Sequence, residues 1–205
     1  MFGPNFLQEL LLAGPVILFS LTVHEFSHAY LAYRFGDPTA RDMGRLTLNP
    51  LNHLDLFGTI VMVISGFRFG WAKPVPVNPM NLGNPRRDDI WISAGGPISN
   101  ISLAFISGMV FRLVESSGIA VPPAFMIILR NLVYINLTLA FFNLIPLFPL
   151  DGSHVLRDLL PLRYEETMDQ IDRFAPFILL ILLITGALWF VIGPPVMMFS
   201  GMFLG

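Results

Sequence analysis

The sequence predicts an α-helical, polytopic membrane protein with about four transmembrane helices, a re-entrant half-span, and a small membrane-associated β-hairpin or edge strand, all in one domain over residues 1–205. Three observations predict it. Of the 205 residues 54% are hydrophobic and only 13% charged, with a mean hydropathy of +0.67, far more apolar than an ordinary soluble domain. Four apolar runs are long enough to cross a bilayer, which takes about 20 residues. A fifth run is only about half that length, and an alternating aromatic and β-branched stretch follows it.

The first span is predicted over residues 6–35. Gly14-Pro15 should kink it, and Gly36-Asp37-Pro38 is a turn signature that ends it. The five residues ahead of it, Met1-Phe2-Gly3-Pro4-Asn5, hold no basic group, so the run reads as a retained helix rather than a cleaved signal. Residues 56–67 contain Gly58 and Gly66 and are too short to cross, so they are expected to dip into the membrane and return. The following stretch to residue 78 alternates, but Pro74 and Pro76 limit its pairing. An edge strand or hairpin is expected there, with 41–48 as its partner. The remaining spans are placed at 90–114, 123–145 and 174–192. The tail at 194–205 is apolar but short and broken by proline, and nothing in its pattern assigns it a place.

A net charge of −2 offers no basic footprint for nucleic acid. With no cysteine in the chain, disulfides and thiolate ligands are excluded, and any zinc must be held by His and carboxylate. Arg34, Arg41, Arg45, Arg68, Lys73, Arg86 and Arg87 lie between the first and second spans; Arg157, Arg163 and Arg173 lie at or near the segment joining the third and fourth. With four crossings both segments share one side, and the positive-inside rule makes that side cytoplasmic with both termini outside. Arg112 and Arg130 fall near the opposite face, close enough to span ends to snorkel.

The chemistry-bearing motif is His24-Glu25-Phe26-Ser27-His28 in the first span. On a helical period the two imidazoles stand one turn apart on one face and can reach a single divalent ion, and Glu25 beside them suits a general base better than a third ligand. A chance coincidence is the bland alternative, but ionisable groups in an apolar segment are costly and tend to serve function.

A catalytic zinc takes three protein ligands and one open position. Asp151 is the best third donor: it follows Asn143-Leu144-Ile145-Pro146-Leu147-Phe148-Pro149-Leu150, where two prolines break the helix and Gly152 permits a turn. An ordinary turn or N-cap role is the competing reading. Topology favours the ligand, because four crossings put Asp151 on the same side as His24 and His28, whereas a full crossing at 56–67 would part them by roughly 30 Å. The half-span and the metal site therefore stand or fall together. His53 reads as a polar loop or interface residue, since no helical spacing ties it to a partner. His154, three residues past Asp151, reads as an outer partner or a rival ligand. Asn100, inside the second span, and Asn143 each either hydrogen-bond another helix or orient a substrate backbone and its oxyanion. The small residues Ala94, Gly95 and Gly96 favour close backbone approach.

His24-Glu25-x-x-His28, Gly96-x-x-x-Asn100 and Asn143-x-x-Pro146-x-x-Pro149-Leu150-Asp151-Gly152 together resemble the site-2 protease family of intramembrane zinc metalloproteases, in the family's order. Gly44-Arg45-Leu46-Thr47-Leu48-Asn49-Pro50 and Trp71-Ala72-Lys73-Pro74-Val75-Pro76-Val77-Asn78 resemble segments of its short prokaryotic members, which lack PDZ or CBS domains. The resemblance implies one Zn2+ held by His24, His28 and Asp151, Glu25 as the base, and Asn100 and Asn143 as amides facing substrate. It also implies a transmembrane protein as substrate, cleaved in or near its membrane segment in regulated intramembrane proteolysis. Zinc lowers the pKa of a coordinated water to about 7, and a carboxylate such as Glu25 takes its proton. A substrate helix must unwind before attack, and the edge strand near 67–77 is expected to pair with the unwound stretch. A metal or proton transporter is the rival from another class, although the paired repeats common in transporters are not visible. A catalytically silent scaffold of the same fold is the third reading.

Overall fold

A computed structural model describes residues 6–64 and 70–205. Eight α-helices form among them: α1 (Phe6–Arg34), α2 (Thr39–Asp42), α3 (Leu56–Ile64), α4 (Pro85–Ser117), α5 (Pro123–Asn143), α6 (Asp151–Leu159), α7 (Glu165–Thr185) and α8 (Leu188–Leu204). Local chemistry sets the ends of the long ones. Asn84 caps α4, its side-chain oxygen accepting from Arg87 N, with Pro85 in the first turn where a missing N–H costs nothing. α4 stops at Gly118 and α7 at Gly186, both in the left-handed conformation that glycine adopts without a Cβ clash. Pro15 is accommodated inside α1, which runs on through it.

The central element is α4, which packs against α1, α5, α6 and α8. Along α1 the residues Ser20, His24 and His28 meet Asn136 of α5 and Asn100 and Ile92 of α4, so α1 and α4 run antiparallel. Three apolar clusters hold the bundle. Ala104, Val133, Leu137 and Val196 join α4, α5 and α8; Ile145, Leu150, Leu179, Leu188 and Ile192 join the segment after α5 to α7 and α8; Ala32, Leu82 and Ile92 close the base of α1 against α4. The outer surface is also apolar: Phe105, Met109 and Leu113 on α4, Phe177 on α7 and Phe190 on α8 are 49–85% exposed. Rows of exposed large apolar groups on helices suit lipid rather than water.

By length and hydropathy, α4 and α5 are the two helices among the described residues able to cross a membrane. α7 and α8, bent by 71°, make a third if the pair is one span. Against the four spans predicted, the described residues give two, or three with the bent pair. The predicted fourth span, 174–192, is corrected: Gly186 breaks it, and the tail left without a place becomes most of α8, which packs on α5 and α4. Within the expected half-span the described residues form α3, nine residues long. Its expected end, together with 67–69 of the expected strand, lies outside the described residues.

The β-hairpin is not formed among the described residues. A single antiparallel bridge joins Leu54 to Ala72, supported by Lys73 N donating to His53 O at 2.8 Å. The expected partner, 41–48, is unavailable because it begins inside α2 and then turns at Gly44, whose φ is +70°. On the other side Pro74 and Pro76 have no N–H to extend a ladder past the bridge. The turn after α1 is instead tied down by Asp37, which is fully buried. Its carboxylate accepts from Thr39 N (3.1 Å), Thr39 Oγ1 (2.5 Å), Asn78 N (2.7 Å) and Asn81 Nδ2 (2.8 Å), which clamps the segment leading into α4.

Candidate metal centre

His24 and His28 are buried on the face of α1 that meets α4, and α6 brings Asp151 to them as its first residue. One donor atom from each of His24, His28 and Asp151 lies within 4.8 Å of the others. Asp151 Oδ2 is 3.2 Å from His24 Nε2 and 3.4 Å from His28 Nε2. The other nitrogen of each ring is engaged elsewhere. His24 Nδ1 donates to Asn100 Oδ1 at 2.6 Å, and His28 Nδ1 donates to the backbone carbonyl of Ile92 at 2.7 Å. A carbonyl oxygen can only accept, so both rings carry their proton on Nδ1 and point a bare Nε2 at Asp151.

This donor set fits a divalent ion. Two lone pairs face a carboxylate oxygen that is buried without a hydrogen-bond partner, a costly arrangement unless a cation sits among them. Space is reserved as well. A Cβ on Gly96 would collide with His28 Nε2 and stand 2.6 Å from His24 Nε2, so only glycine lets α4 approach the rings. Gly152, just after Asp151, is similarly confined by the Leu144 carbonyl. Two imidazoles and one carboxylate match the preference of zinc for nitrogen and oxygen donors when no thiolate is present.

Glu25 is partly buried beside His24 and lies within electrostatic reach of His28 and of the buried Arg45. Arg45 donates to the Lys73 carbonyl. Asn100 is fully enclosed: its Oδ1 accepts from His24, and its Nδ2 donates to Asn136 Oδ1 at 2.7 Å and Ser20 O at 3.3 Å. Every polar atom of that amide is spoken for inside the protein, the arrangement of a residue that orients His24; facing a substrate would require these bonds to open. Asn143 closes α5 partly buried, its Nδ2 donating to Leu139 O at 3.0 Å.

His53 is buried in its loop with Nε2 donating to Thr47 O at 2.8 Å and takes no part in the centre. His154 also stands outside the donor group. Its Nδ1 is 3.4 Å from Asp89 Oδ2 on α4, and the hydrogen bond with Asp89 raises its pKa. Burial and the neighbouring Asp89 carboxylate push Asp158 up to about 6, while Arg86, 3.5 Å away, opposes them. Arg86 also donates to the Arg157 and Leu160 carbonyls, so α6, which carries Asp151, is pinned to the start of α4. The Ile92 carbonyl, bonded to His28, and Asn136, bonded to Asn100, are hydrogen-bond partners of this group that sequence reading misses, because neither lies in a recognisable pattern.

An apolar helical bundle with paired histidines, a neighbouring glutamate and a converging aspartate defines a class: a membrane-type protein with a candidate metal centre built as metallopeptidases build theirs. The sequence profile of Peptidase family M50 matches residues 118–186. The chain is 42% identical to the Bacillus subtilis protein named "Putative zinc metalloprotease YwhC" over 173 residues, 82% of this chain and 78% of that one. It is 31% identical to the Rip2 protein of Mycolicibacterium smegmatis, similarly named, over 178 residues, 84% of this chain and 67% of that one. A zinc metalloprotease of Methanocaldococcus jannaschii is 27% identical over 150 residues, 73% of this chain and 34% of that one. No solved structure matches. The chain belongs to peptidase family M50, the site-2 protease family of zinc metalloproteases.

Proposed function

We propose that the chain is an intramembrane zinc endopeptidase that hydrolyses peptide bonds in or near transmembrane segments of other membrane proteins, acting in regulated intramembrane proteolysis. The observation that carries this reading is the convergence of His24 Nε2, His28 Nε2 and an unpartnered Asp151 Oδ2 inside an apolar helix bundle. In this account His24, His28 and Asp151 hold one Zn2+, which when bound supplies a Lewis acid and a water acidified toward neutrality. The Glu25 carboxylate takes a proton from the attacking water and returns it to the leaving amine nitrogen. Asn100 keeps His24 oriented. Asn143, at the open end of α5, places a substrate carbonyl or its oxyanion.

The whole chain acts as one integral-membrane unit, with α1 crossing alongside α4, α5 and the bent α7–α8 pair. In this account the site faces the cytoplasm, a reading supported by the positive-inside rule, since most of the basic residues lie in or beside the segments that join α1 to α4 and α5 to α7. A substrate helix reaches it through the lipid and unwinds locally before attack, since intrahelical bonds hide its carbonyls. The test is co-reconstitution with a panel of single-span reporter proteins. Wild type should release a cytoplasmic fragment, and Glu25→Gln should release none while retaining zinc. Cleavage by Glu25→Gln at the wild-type rate would remove Glu25 from the reaction, and zinc flux across the vesicle without cleavage would favour a transporter.

A further inference from the structure

We propose that Asn136, on α5, is a positioning residue for the metal centre: acting through Asn100, it fixes His24 in the tautomer whose Nε2 is bare. The proposal rests on reading His24 as a ligand. Unlike His28, whose Nδ1 bonds directly to a backbone carbonyl, His24 bonds to a side-chain amide at 2.6 Å. A side-chain amide can turn over, exchanging acceptor for donor, and would then stabilise the wrong tautomer with Nε2 protonated. Something must therefore hold Asn100 one way round.

The surrounding bonds do so. Asn136 Nδ2 donates to Leu132 O and to Ser20 Oγ, each at 2.8 Å, and its Oδ1 accepts from Asn100 Nδ2 at 2.7 Å. The Leu132 carbonyl cannot donate, which orients Asn136; the Asn136 oxygen cannot donate, which orients Asn100; and the Asn100 oxygen cannot donate, which leaves the Nδ1 proton to His24. Turning Asn100 over would bring its oxygen against the oxygens of Asn136 and Ser20, with no proton between them. Both asparagines are fully buried, so water cannot repair a broken bond, and in an apolar interior the mismatch is costly. The sense of the chain thus begins at a backbone carbonyl of α5 and ends at a ring nitrogen of α1. An asparagine serving only to hold helices together would need no such ordered sequence of donors and acceptors.

The experiment uses the purified 205-residue chain in detergent. Zinc affinity is measured by chelator competition, and the ring-nitrogen shifts of 15N-labelled His24 are read in zinc-stripped protein. Asn136→Leu should lower zinc affinity by roughly 10- to 100-fold, the usual effect of losing a partner of a metal-bound histidine, and should shift His24 toward a mixture of tautomers. Asn136→Asp, which as a neutral acid still accepts from Asn100 and donates to Leu132, should keep both affinity and tautomer close to wild type. Leu137→Ala loosens the same helix next to the chain and should leave affinity and tautomer unchanged. Wild-type affinity and tautomer in Asn136→Leu would overturn the proposal, as would an equal loss in Leu137→Ala, since affinity would then merely follow packing. Absence of zinc binding in wild type would sink the ligand reading instead, and the nitrogen shifts would still decide whether Asn136 sets the tautomer.

Discussion

Gly96→Ala tests whether the gap between α4 and the two histidines is there for a metal. The added Cβ would lie 2.6 Å from His24 Nε2 and closer still to His28 Nε2. Ordinary contact is about 3.5 Å, so the rings or α4 must retreat by roughly 1 Å. Neither ring is free to swing, because His24 is held at Nδ1 by Asn100 and His28 by Ile92. Metal sites tolerate about ±0.2 Å in ligand distance, several times less than the shift required. Zinc affinity should therefore fall by at least about 100-fold, or about 2.8 kcal/mol at 1.4 kcal/mol per factor of ten. The fold should lose only the 1–3 kcal/mol, roughly, of an overpacked contact. Chelator competition reads the first and thermal unfolding in detergent the second. Gly118→Ala is the matched control: its φ of +66° strains any side chain, but no atom lies within 4 Å of the added Cβ and the centre is untouched. It should lose stability and keep its zinc. Wild-type zinc affinity in Gly96→Ala would refute the reasoning, showing that the rings do not need the space they occupy.

Other predictions follow from the same contacts. Asp37→Ala removes a buried carboxylate that accepts four hydrogen bonds and should cost about 3 kcal/mol or more; denaturant unfolding checks it, and a loss below about 1 kcal/mol would show that the clamp is dispensable. Asp158, pushed up to about 6 by burial and Asp89, binds its proton more tightly folded than unfolded, so its contribution is present at pH 4 and lost as pH rises through about 6. His154, raised by Asp89, acts in the same sense at higher pH. Stability should therefore decline from pH 4 to 7, and Asp158→Asn should flatten the lower part of that slope; an unchanged slope would place the titration elsewhere.

The parts of this molecule that announce themselves in sequence are those written in hydropathy and in short motifs. α1, α4 and α5 form helices where their apolar runs predict them, and the grouping of His24, His28 and Asp151 is legible because ionisable groups in or beside such runs are rare. The break at Gly186 was not legible: apolar residues continue on both sides of it, and hydropathy carries no record of a left-handed backbone turn. Among the described residues the hairpin does not form, because alternation alone specifies no partner strand. The 41–48 segment is committed to α2 and its turn, and the prolines at 74 and 76 leave the opposing stretch one bridge. Asn100 was visible but its direction was not, since an amide in a span reads the same whether it faces substrate or a neighbouring helix. Asn136 belongs to no motif and becomes meaningful only when three helices bring Ser20, Asn100 and Asn136 together. Gly96 was legible as a site of close approach, while the imidazoles it approaches came only with the fold.

The most direct measurement is zinc per chain in purified wild type and in Asp151→Ala, prepared without chelator and quantified by elemental analysis. The account predicts about one zinc in wild type, as one three-ligand site requires, and a clear loss in the variant, because Asp151 joins α6 to the two histidines of α1. Equal zinc in both would contradict Asp151 as a necessary ligand, and no zinc in wild type would contradict the metal centre itself.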